Sequence, residues 1–282
     1  MDVSHLLEEL NEPQRKAVAA DEGPMLVLAG AGSGKTRVLT HRVAWLVQAF
    51  QYSPLSILAV TFTNKAASEM RGRIEQMLGY PVAGMWMGTF HGLSHRLLRA
   101  HWQEAGLPEN FQIIDSDDQK RVIKRLITGM ELDDSYWQPK QGQLFINHLK
   151  EAGRRARDVH AGHDPQQQQW TRVYQEYEAY CQRAGIVDFA DLLLRSWEMM
   201  HNNEILRLHY RERFRAVLVD EFQDTNSIQY LWLKEFVGHH LNIMVVGDDD
   251  QSIYSCRGAQ VENIRKFEKD FSGTEMVRLE QN

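Results

Sequence analysis

The feature that most constrains the fold is the stretch 24–37, where an apolar run leads into a glycine-rich turn and then into a helical pattern. The mostly apolar residues 25–29 predict a short buried strand, and the pattern from about Lys35 to Val47 predicts a helix. Backbone N–H groups of such a turn and the positive end of the helix dipole point at the same place, which suits an anion such as phosphate. Its glycines let the backbone approach that anion closely. The residues that we predict to form the cradle are Ala29, Gly30, Ala31, Gly32, Ser33 and Gly34.

The predicted helix begins with two residues whose side chains suit a nucleotide. Lys35 supplies a point charge for the outer phosphates, and Thr36 supplies a hydroxyl ligand for Mg²⁺. The strict pattern of this P-loop motif has glycine at position 29, where this chain has Ala29, the least disruptive replacement. An ordinary βα turn that binds nothing is the alternative interpretation, but Gly-Lys-Thr at the start of a helix favours a nucleotide site.

A strand pattern much later in the chain ends in an acidic pair. Residues 216–219 are apolar and are followed directly by Asp220 and Glu221. In a P-loop site such an Asp holds Mg²⁺ through water, and such a Glu orients and deprotonates the attacking water. An apolar run ending in Asp-Glu is common by chance. Its continuation as Phe-Gln-Asp-Thr and the presence of the cradle motif in the same chain argue against chance.

A third polar segment follows the predicted strand 242–247. Its three aspartates, 248–250, would suit either a second metal site or a polar loop that senses the nucleotide. We favour the sensor loop, in which Gln251 detects the γ-phosphate and Tyr254 is available to stack on a base. Arg257 then contacts a phosphate or pairs with one of the aspartates.

Gln14 lies upstream of the cradle, just after a helix break near Pro13. Its amide offers one donor group and one acceptor, which suits the edge of an adenine. A solvated surface glutamine is the competing interpretation.

Two further strand patterns, 56–61 and 85–88, lead into the segments Thr-Phe-Thr and Thr-Phe-His. Ligands bind at the carboxyl ends of strands in open α/β sheets, and aromatic rings beside hydroxyls suit base stacking and phosphate contacts with a single-stranded nucleic acid. The two rings are those of Phe62 and Phe90. The sequence alone explains them equally well as core residues.

The order of these patterns predicts an α/β fold. Strands alternate with helices at a spacing typical of a parallel sheet, whereas helical patterns dominate between about 106 and 215. We therefore expect a sheet domain from about 1–89 and 215–282 with an all-helical subdomain, 90–214, inserted into it. The basic segments 150–157 and 207–215 are either solvated faces or nucleic-acid contacts.

The composition is that of an ordinary globular protein. Of the 282 residues 43% are hydrophobic and 25% are charged, and two cysteines lie far apart without metal or redox spacing. The chain has no apolar run long enough to cross a membrane and no signal-like N-terminus, so we expect a cytoplasmic protein. The formal net charge of −6 means that any nucleic-acid binding must come from local patches.

Taken in order, these segments resemble the N-terminal part of the UvrD/Rep/PcrA group of superfamily I DNA helicases. The resemblance extends over the whole chain, and its most specific motifs are Asp-Glu-Phe-Gln-Asp-Thr and Gly-Asp-Asp-Asp-Gln-Ser-Ile-Tyr. The matching stretches are Leu10–Val18, Ala29–Arg37, Ala59–Met70, Gly88–Arg99, Ala184–Leu194, Val219–Asn226 and Val246–Ala259.

The resemblance implies a RecA-like P-loop NTPase sheet that binds ATP and Mg²⁺. It implies that Gln14 reads the adenine, that Arg37 lies beside the nucleotide, and that Lys35, Glu221 and Gln251 act in catalysis. Thr36 and Asp220 are the implied Mg²⁺ ligands. The residues implied to line a path for single-stranded DNA are Phe62, Thr63, Asn64, Thr89, Phe90 and His91, with Tyr254 and Arg257 nearby.

Two departures from the family pattern are visible. The family has Gly-Trp after Ser-Ile-Tyr, whereas this chain has Ser255 and Cys256, which removes a stacking surface worth about 1–3 kcal/mol per base. The family also continues Gln-Asn-Tyr-Arg, whereas this sequence stops at Asn282. We therefore expect that arginine, and the second RecA-like domain of the family, to be absent from this chain.

Two hypotheses follow from the resemblance. The first is the ATP-binding half of a 3′–5′ DNA helicase and DNA-dependent ATPase of DNA repair, acting on single-stranded DNA and its junctions with duplex, with repair proteins as partners. The second is a truncated module that binds Mg-ATP and DNA without hydrolysis. A P-loop kinase or a nuclease-associated motor subunit fits less well, because no separate nuclease carboxylate cluster is visible and Thr-Phe-His has no use in a kinase.

Overall fold

The computed structural model describes residues 3–30, 32–248 and 258–279, with side chains in the last range from 262 onward. The strands are β1 (Met25–Ala29), β2 (Ile57–Thr61), β3 (Trp86–Thr89), β4 (Gln112–Ile114), β5 (Ile186–Asp188), β6 (Ala216–Val219), β7 (Ile243–Asp248) and β8 (Glu275–Leu279). Within the described residues, six of them form one parallel sheet in the order β3-β2-β6-β7-β1-β8. The predicted parallel α/β class is confirmed.

The helices lie between these strands. They are α1 (Glu12–Ala19), α2 (Lys35–Gln48), α3 (Asn64–Leu78), α4 (Phe90–Ala100), α5 (Ser116–Gly129), α6 (Pro139–Glu151), α7 (Pro165–Ala184), α8 (Phe189–Asn202), α9 (Glu204–Arg213), α10 (Ser227–Phe236) and α11 (Gly258–Asp270). Short 3₁₀ turns cover Ser4–Leu6, Pro54–Ser56, Ala156–Asp158 and Phe222–Asp224. No helix among the described residues combines the length and apolar character needed to cross a bilayer.

The inner strands of the main sheet are mostly apolar. Every residue of β1, β2 and β6 is buried, as expected for inner strands of a parallel sheet that is covered on both faces. α3 shows how the helices cover it. Its buried residues recur every three or four positions, which gives one apolar face, and they are Ala67, Met70, Ile74 and Leu78.

The chain divides into two compact units. The first contains the main sheet and comprises the described residues within Met1–Leu93, Glu204–Thr225 and Leu233–Asn282. The second comprises Ser94–Asn203 and Asn226–Trp232. The sequence analysis places the domain boundaries at 89/90 and 214/215, whereas these units meet at 93/94 and 203/204, and the second unit also takes the first part of α10.

The second unit is mainly helical but contains two strands that the sequence analysis did not predict. β4 and β5 pair in parallel, with Gln112 opposite Ile186. Each strand is three residues long, which is too short to show an alternating pattern in the sequence. The expectation of an all-helical insertion is corrected in this respect.

Candidate functional site

The predicted phosphate cradle forms a tight turn between β1 and α2. Gly34 caps the start of α2 in the left-handed conformation with φ 86°, and Gly32 has φ 76°. Ser33 closes the turn, since its backbone N–H and its Oγ both donate to the carbonyl oxygen of Gly30, at 3.2 and 2.6 Å. The backbone at positions 32 and 34 is therefore one that glycine adopts far more readily than other residues.

Ala29, where the strict motif has glycine, is the last residue of β1. It is fully buried, and its backbone lies opposite Asp248 of β7 and Leu279 of β8. Its methyl group belongs to the apolar core of the first unit. The alanine therefore fills core space, and the left-handed backbone of the turn occurs after it.

Gln14 lies directly against this turn. Its side chain is 1% exposed, and its Nε2 donates to the carbonyl oxygen of Ser33 at 3.0 Å. Its Oε1 accepts from the backbone N–H of Asn11 at 3.1 Å. A Cβ built on Gly34 would lie 2.6 Å from Gln14 Nε2. The interpretation of Gln14 as a solvated surface residue is therefore wrong, and its contact with adenine stays a prediction.

The helix that carries Gln14 is held by a buried arginine of α2. The Arg42 guanidinium is 3% exposed and donates to the carbonyl oxygens of Val18, Ala20 and Asp21 at the end of α1. Burial lowers the pKa of Arg42 to about 10, and the nearby acidic residues only partly oppose this. The end of α1 is thereby joined to α2, while its first turn is joined through Gln14 to the turn before α2.

The acidic pair follows β6, at the same edge of the sheet. Asp220 is 5% exposed, and its Oδ1 accepts from the backbone N–H of Glu221 at 2.9 Å. Burial and then the negative charge of Glu221 raise the pKa of Asp220 to about 6, although Lys35 opposes them. Glu221 has a left-handed backbone with φ 49°, which is uncommon for a residue with a side chain. Such outliers are frequent at functional sites.

Lys35 brings the two halves of the site together. Its Nζ lies 3.8 Å from Glu221 Oε2 and 3.7 Å from Asp248 Oδ2, and its side chain is 16% exposed. The sheet explains this convergence, because β7 pairs with both β1 and β6. The carboxyl ends of three adjacent parallel strands therefore meet, although the residues are far apart in sequence.

The sequence analysis did not predict that Asp248 lies beside Lys35 in the candidate site. The sequence analysis treated it as one of three aspartates in a sensor loop, but it ends β7 and faces Lys35. The sequence signal for Asp248 was the mostly apolar strand pattern before it, just as an apolar strand pattern precedes Asp220. Among the described residues, no group of three or more His, Cys, Asp or Glu side chains is arranged to hold a metal ion.

The remaining nucleotide-site predictions concern the first turn of α2. Thr36 is half-buried, and its carbonyl oxygen accepts from Thr40 Oγ1 at 2.8 Å. Arg37 is paired with Glu9, with 2.9 Å between its NH2 and Glu9 Oε2. The predicted contacts of Thr36 with Mg²⁺ and of Arg37 with the nucleotide stay predictions.

The predicted DNA-binding segments lie at the ends of two paired strands, where Thr61 of β2 is opposite Thr89 of β3. Thr63 caps α3, since its Oγ1 accepts from the backbone N–H of Ala66 at 3.1 Å, and Asn64 is exposed. Thr89 Oγ1 accepts from the backbone N–H of Gly92 at 3.0 Å, in the first turn of α4. Polar side chains and two helix N-termini thus lie at neighbouring strand ends.

The two predicted aromatic residues of this edge have different environments. The ring of Phe62 is partly exposed and meets the ring of Phe90 edge to face, with 5.6 Å between centroids. Phe90 is 1% exposed, so we assign its ring to the core and correct the expectation that it stacks on a base. His91 is half-buried, and burial lowers its pKa. Phe62 is therefore the ring that is accessible at this edge.

Some predicted site residues lie outside the described residues. They are Ala31 in the cradle and Gln251, Tyr254 and Arg257 in the sensor loop, together with the departures Ser255 and Cys256.

Several known DNA helicases are similar to this chain over all or nearly all of its length. DNA helicase II of Escherichia coli (strain K12) is 58% identical over 282 residues, which cover 100% of this chain and 39% of that protein. DNA helicase II of Haemophilus influenzae is 54% identical over 286 residues, covering 100% and 39%. The ATP-dependent DNA helicase PcrA of Staphylococcus epidermidis is 40% identical over 284 residues, covering 98% and 38%. The chain thus spans about two fifths of the length of these curated relatives.

The family match agrees with the architecture. The parallel sheet, with its glycine-rich turn at the end of β1, is that of a RecA-like helicase domain. Residues 10–272 match the model of the family described as the UvrD/REP helicase N-terminal domain, and the chain therefore belongs to that family.

Proposed function

We propose that this chain is the ATP-binding part of a DNA helicase that moves 3′ to 5′ along single-stranded DNA and takes part in DNA repair in the cytoplasm. The proposal includes Mg-ATP as cofactor, single-stranded DNA and its junctions with duplex as substrate, and repair proteins as partners. In it the first unit is the RecA-like ATP-binding domain and the second unit is its inserted subdomain. The observation that carries the proposal is that Lys35 lies 3.8 Å from Glu221 and 3.7 Å from Asp248.

The residues present fit a magnesium-bound triphosphate. Gly34 leaves the start of α2 without a side chain, and a Cβ there would meet Gln14 at 2.6 Å. The backbone N–H groups of the first turn of α2 and the Lys35 ammonium are donors suited to phosphate oxygens. The Asp220 carboxylate is buried and has a raised pKa, so a nearby divalent cation would stabilise its charged form.

Each residue has a defined chemical role in this proposal. Lys35 holds the outer phosphates, and the Thr36 hydroxyl and the Asp220 carboxylate hold Mg²⁺. Glu221 accepts a proton from the attacking water, which it also orients. ATP supplies the phosphoanhydride bond that is cleaved. Gln14 keeps the cradle in shape through Ser33, and we retain its predicted contact with the adenine.

The ends of β2 and β3 form the proposed DNA-binding edge. Phe62 offers a partly exposed ring for stacking on a base, and Thr63, Asn64 and Thr89 offer polar groups for the phosphate backbone. His91 has a lowered pKa and therefore acts as a neutral donor or acceptor rather than as a cation at neutral pH. Phe90 supports Phe62 from the core.

Nucleotide binding is tested by titrating a fluorescent ATP analogue with Mg²⁺ against the protein and its Lys35→Ala variant. We expect the variant to bind about 10- to 100-fold more weakly, the equivalent of hydrogen bonds to a charged group worth about 1.5–3 kcal/mol. Lys16→Ala is the control, because Lys16 is 60% exposed and pairs with Glu275 on the surface. Equal affinity of the protein and the Lys35→Ala variant would remove the nucleotide site from the proposal.

The activity is tested in the complete natural protein with labelled duplexes that carry a 3′ or a 5′ single-stranded tail. We expect ATP-dependent unwinding of the 3′-tailed duplex, and DNA-stimulated hydrolysis that falls about 10²- to 10⁴-fold in Glu221→Gln, the range for loss of a general base. Hydrolysis without any response to DNA would reject the helicase assignment. Preferential unwinding from a 5′ tail would reject the polarity.

A further inference from the structure

Gln223 lies next to the proposed base and contacts two strand ends at once. Its Nε2 donates to Glu221 Oε2 and, at 3.4 Å, to Asp224 Oδ2. Its Oε1 accepts from the backbone N–H of Asp248 at 3.0 Å. Gln223 therefore joins the turn after β6 to the end of β7 through a single side chain.

The orientation of this amide is determined by its partners. A backbone N–H can only donate, so the atom of Gln223 that faces Asp248 must be the oxygen. The amide nitrogen is then directed at Glu221, whose ionised carboxylate can only accept. Exchange of the oxygen and nitrogen would place like groups together at both ends. The contact with β7 thus fixes the donor that holds the Glu221 carboxylate.

Glu221 needs such a partner. Its side chain is 38% exposed, and a glutamate carboxylate at the end of three rotatable bonds has many accessible positions. Lys35 is 3.8 Å away, too long for a hydrogen bond, so the lysine attracts the carboxylate without fixing its direction. The hydrogen bond from Gln223 supplies that direction.

The same turn is also attached to α11. Asn263 Nδ2 donates to the carbonyl oxygen of Thr225 at 2.8 Å, and the rings of Phe222 and Phe267 meet edge to face with 5.5 Å between centroids. The 3₁₀ turn Phe222–Asp224 and the residue after it therefore contact both β7 and α11. These two elements precede and follow residues 249–257 in the chain.

We propose that Gln223 is a positioning residue that directs the Glu221 carboxylate for proton abstraction. Its hydrogen bond from the backbone N–H of Asp248, at the end of β7, holds Gln223 in the orientation that this role needs. This inference rests on the proposed function, in which Glu221 is the base. Gln223 itself touches neither the phosphates nor the water in this scheme; it acts through Glu221. Through Gln223, the position of Glu221 is fixed relative to β7, the strand that precedes the predicted sensor loop.

The experiment measures DNA-stimulated ATP hydrolysis by the complete natural protein with Gln223→Ala and Gln223→Glu. Displacement of a catalytic group by about 1 Å can cost about 100-fold, so we expect kcat to fall about 10- to 100-fold while KM stays within about twofold. Gln223→Glu discriminates between roles, because it keeps an acceptor for the Asp248 N–H but cannot donate to Glu221. A role confined to holding β7 would leave this variant near the wild-type rate and would overturn the proposal.

Gln182→Ala is the matched control for the loss of an amide that bonds at both ends. Gln182 lies in the second unit, donates to the carbonyl oxygen of Gly106 at 2.9 Å and accepts from Arg195 at 3.2 Å. We expect this variant to hydrolyse ATP at the wild-type rate. A loss equal to that of Gln223→Ala would mean that the assay reports general destabilisation, and the positioning role would be rejected.

A double-mutant cycle with Glu221→Asp separates this inference from the proposed function. The shorter side chain withdraws the carboxylate from Gln223, so Gln223→Ala and Gln223→Glu should cost less than about twofold in that background. An undiminished effect there would show that Gln223 acts by another route. If Glu221→Gln, which removes the basic carboxylate, keeps the full rate, Glu221 is not the base and the proposed function fails instead.

Discussion

Gly34 satisfies two requirements of the cradle at one residue. Its backbone is left-handed, with φ 86°, and its missing Cβ leaves room for Gln14 Nε2, which would otherwise lie 2.6 Å away. We expect Gly34→Ala to lower the free energy of unfolding by about 2–3 kcal/mol. About 1–2 kcal/mol comes from the backbone, and about 1 kcal/mol from the lost hydrogen bond between Gln14 and Ser33. Denaturant unfolding measures this change.

Gly32→Ala is the control that separates the two requirements. Gly32 has a similar backbone, with φ 76°, but no heavy atom of the residues that the structure describes lies within 4 Å of a Cβ built there. We therefore expect a smaller loss, of about 1–2 kcal/mol. Combining Gly34→Ala with Gln14→Ala removes the steric conflict, so the two losses should not add. Equal losses for the two glycine variants would contradict the role of Gln14.

The cradle itself could be predicted from residues 29–36, because glycine, lysine and threonine at that spacing have few other uses. The environment of single polar or aromatic residues could not. Gln14 is buried against the Ser33 carbonyl. No local pattern predicts this contact, because the two residues are 19 positions apart in the chain. Phe62 and Phe90 have the same sequence context, and only their positions relative to the core distinguish them.

The helices of the second unit enclose a network of buried charges. Lys150 of α6 is 2% exposed, and its Nζ lies 2.7 Å from Asp188 Oδ2 and 3.6 Å from Asp191 Oδ1. Asp188 also accepts from the Tyr177 hydroxyl at 2.6 Å. Lys150→Met should lower the free energy of unfolding by about 3–5 kcal/mol, because it removes the cation that faces the buried Asp188 carboxylate. Denaturant unfolding followed by fluorescence measures the loss.

Lys120→Met is the control for this prediction. Lys120 is on α5, is 50% exposed and lies 3.8 Å from Asp117, which is 75% exposed. Exposed pairs of this kind contribute about 0–1 kcal/mol. A similar loss in both variants would contradict the importance of burial.

The same network predicts how the stability of the second unit depends on pH. Burial alone would raise the pKa of Asp191, but Arg155, Lys150 and Arg195 together hold it below the usual value of 3.8. The folded state therefore binds this proton less tightly than the unfolded state, and stability falls as the pH falls below about 4. Unfolding curves between about pH 5 and pH 2 should show this fall.

Asp191→Asn tests the assignment, since an amide does not titrate in this range. The variant should be less stable at neutral pH and should show a flatter dependence in acid. An unchanged slope would mean that other carboxylates cause the fall.

Most elements of the main sheet could be predicted from apolar runs followed by polar or glycine-rich turns. β1 and β6 have the predicted bounds, and β2, β3 and β7 differ from them by one residue. α4 begins at Phe90, directly after β3. β4 and β5 could not be found, because their pairing depends on helices that bring residues 112 and 186 together.

The sheet as a whole depends on pairing between distant parts of the chain. β1 lies between β7 and β8, which are the last two strands of the described chain. A fragment of residues 1–232 keeps the whole second unit but loses both neighbours of β1. We expect backbone amides 25–29 to lose their protection from hydrogen exchange in this fragment, while β4 and β5 remain protected.

Addition of a second fragment, 233–282, should restore protection to β1 if the two parts reassociate. Protected amides in β1 of the fragment alone would mean that β1 finds other partners. The parallel class of the sheet was predictable from alternating strands and helices, but its strand order was not. Order is decided by which apolar edges meet in the folded core, and the inner strands β1, β2, β6 and β7 are similarly apolar.

The strand order has a consequence for folding during synthesis on the ribosome. Both neighbours of β1 follow it in the chain by more than two hundred residues. At about 5–20 residues per second, the nascent chain carries this unpaired, aliphatic segment for roughly 12 to 50 s. Throughout that interval Met-Leu-Val-Leu-Ala is open to misassembly with other chains, so a holding chaperone should raise the yield of correctly folded molecules more than it raises their final stability.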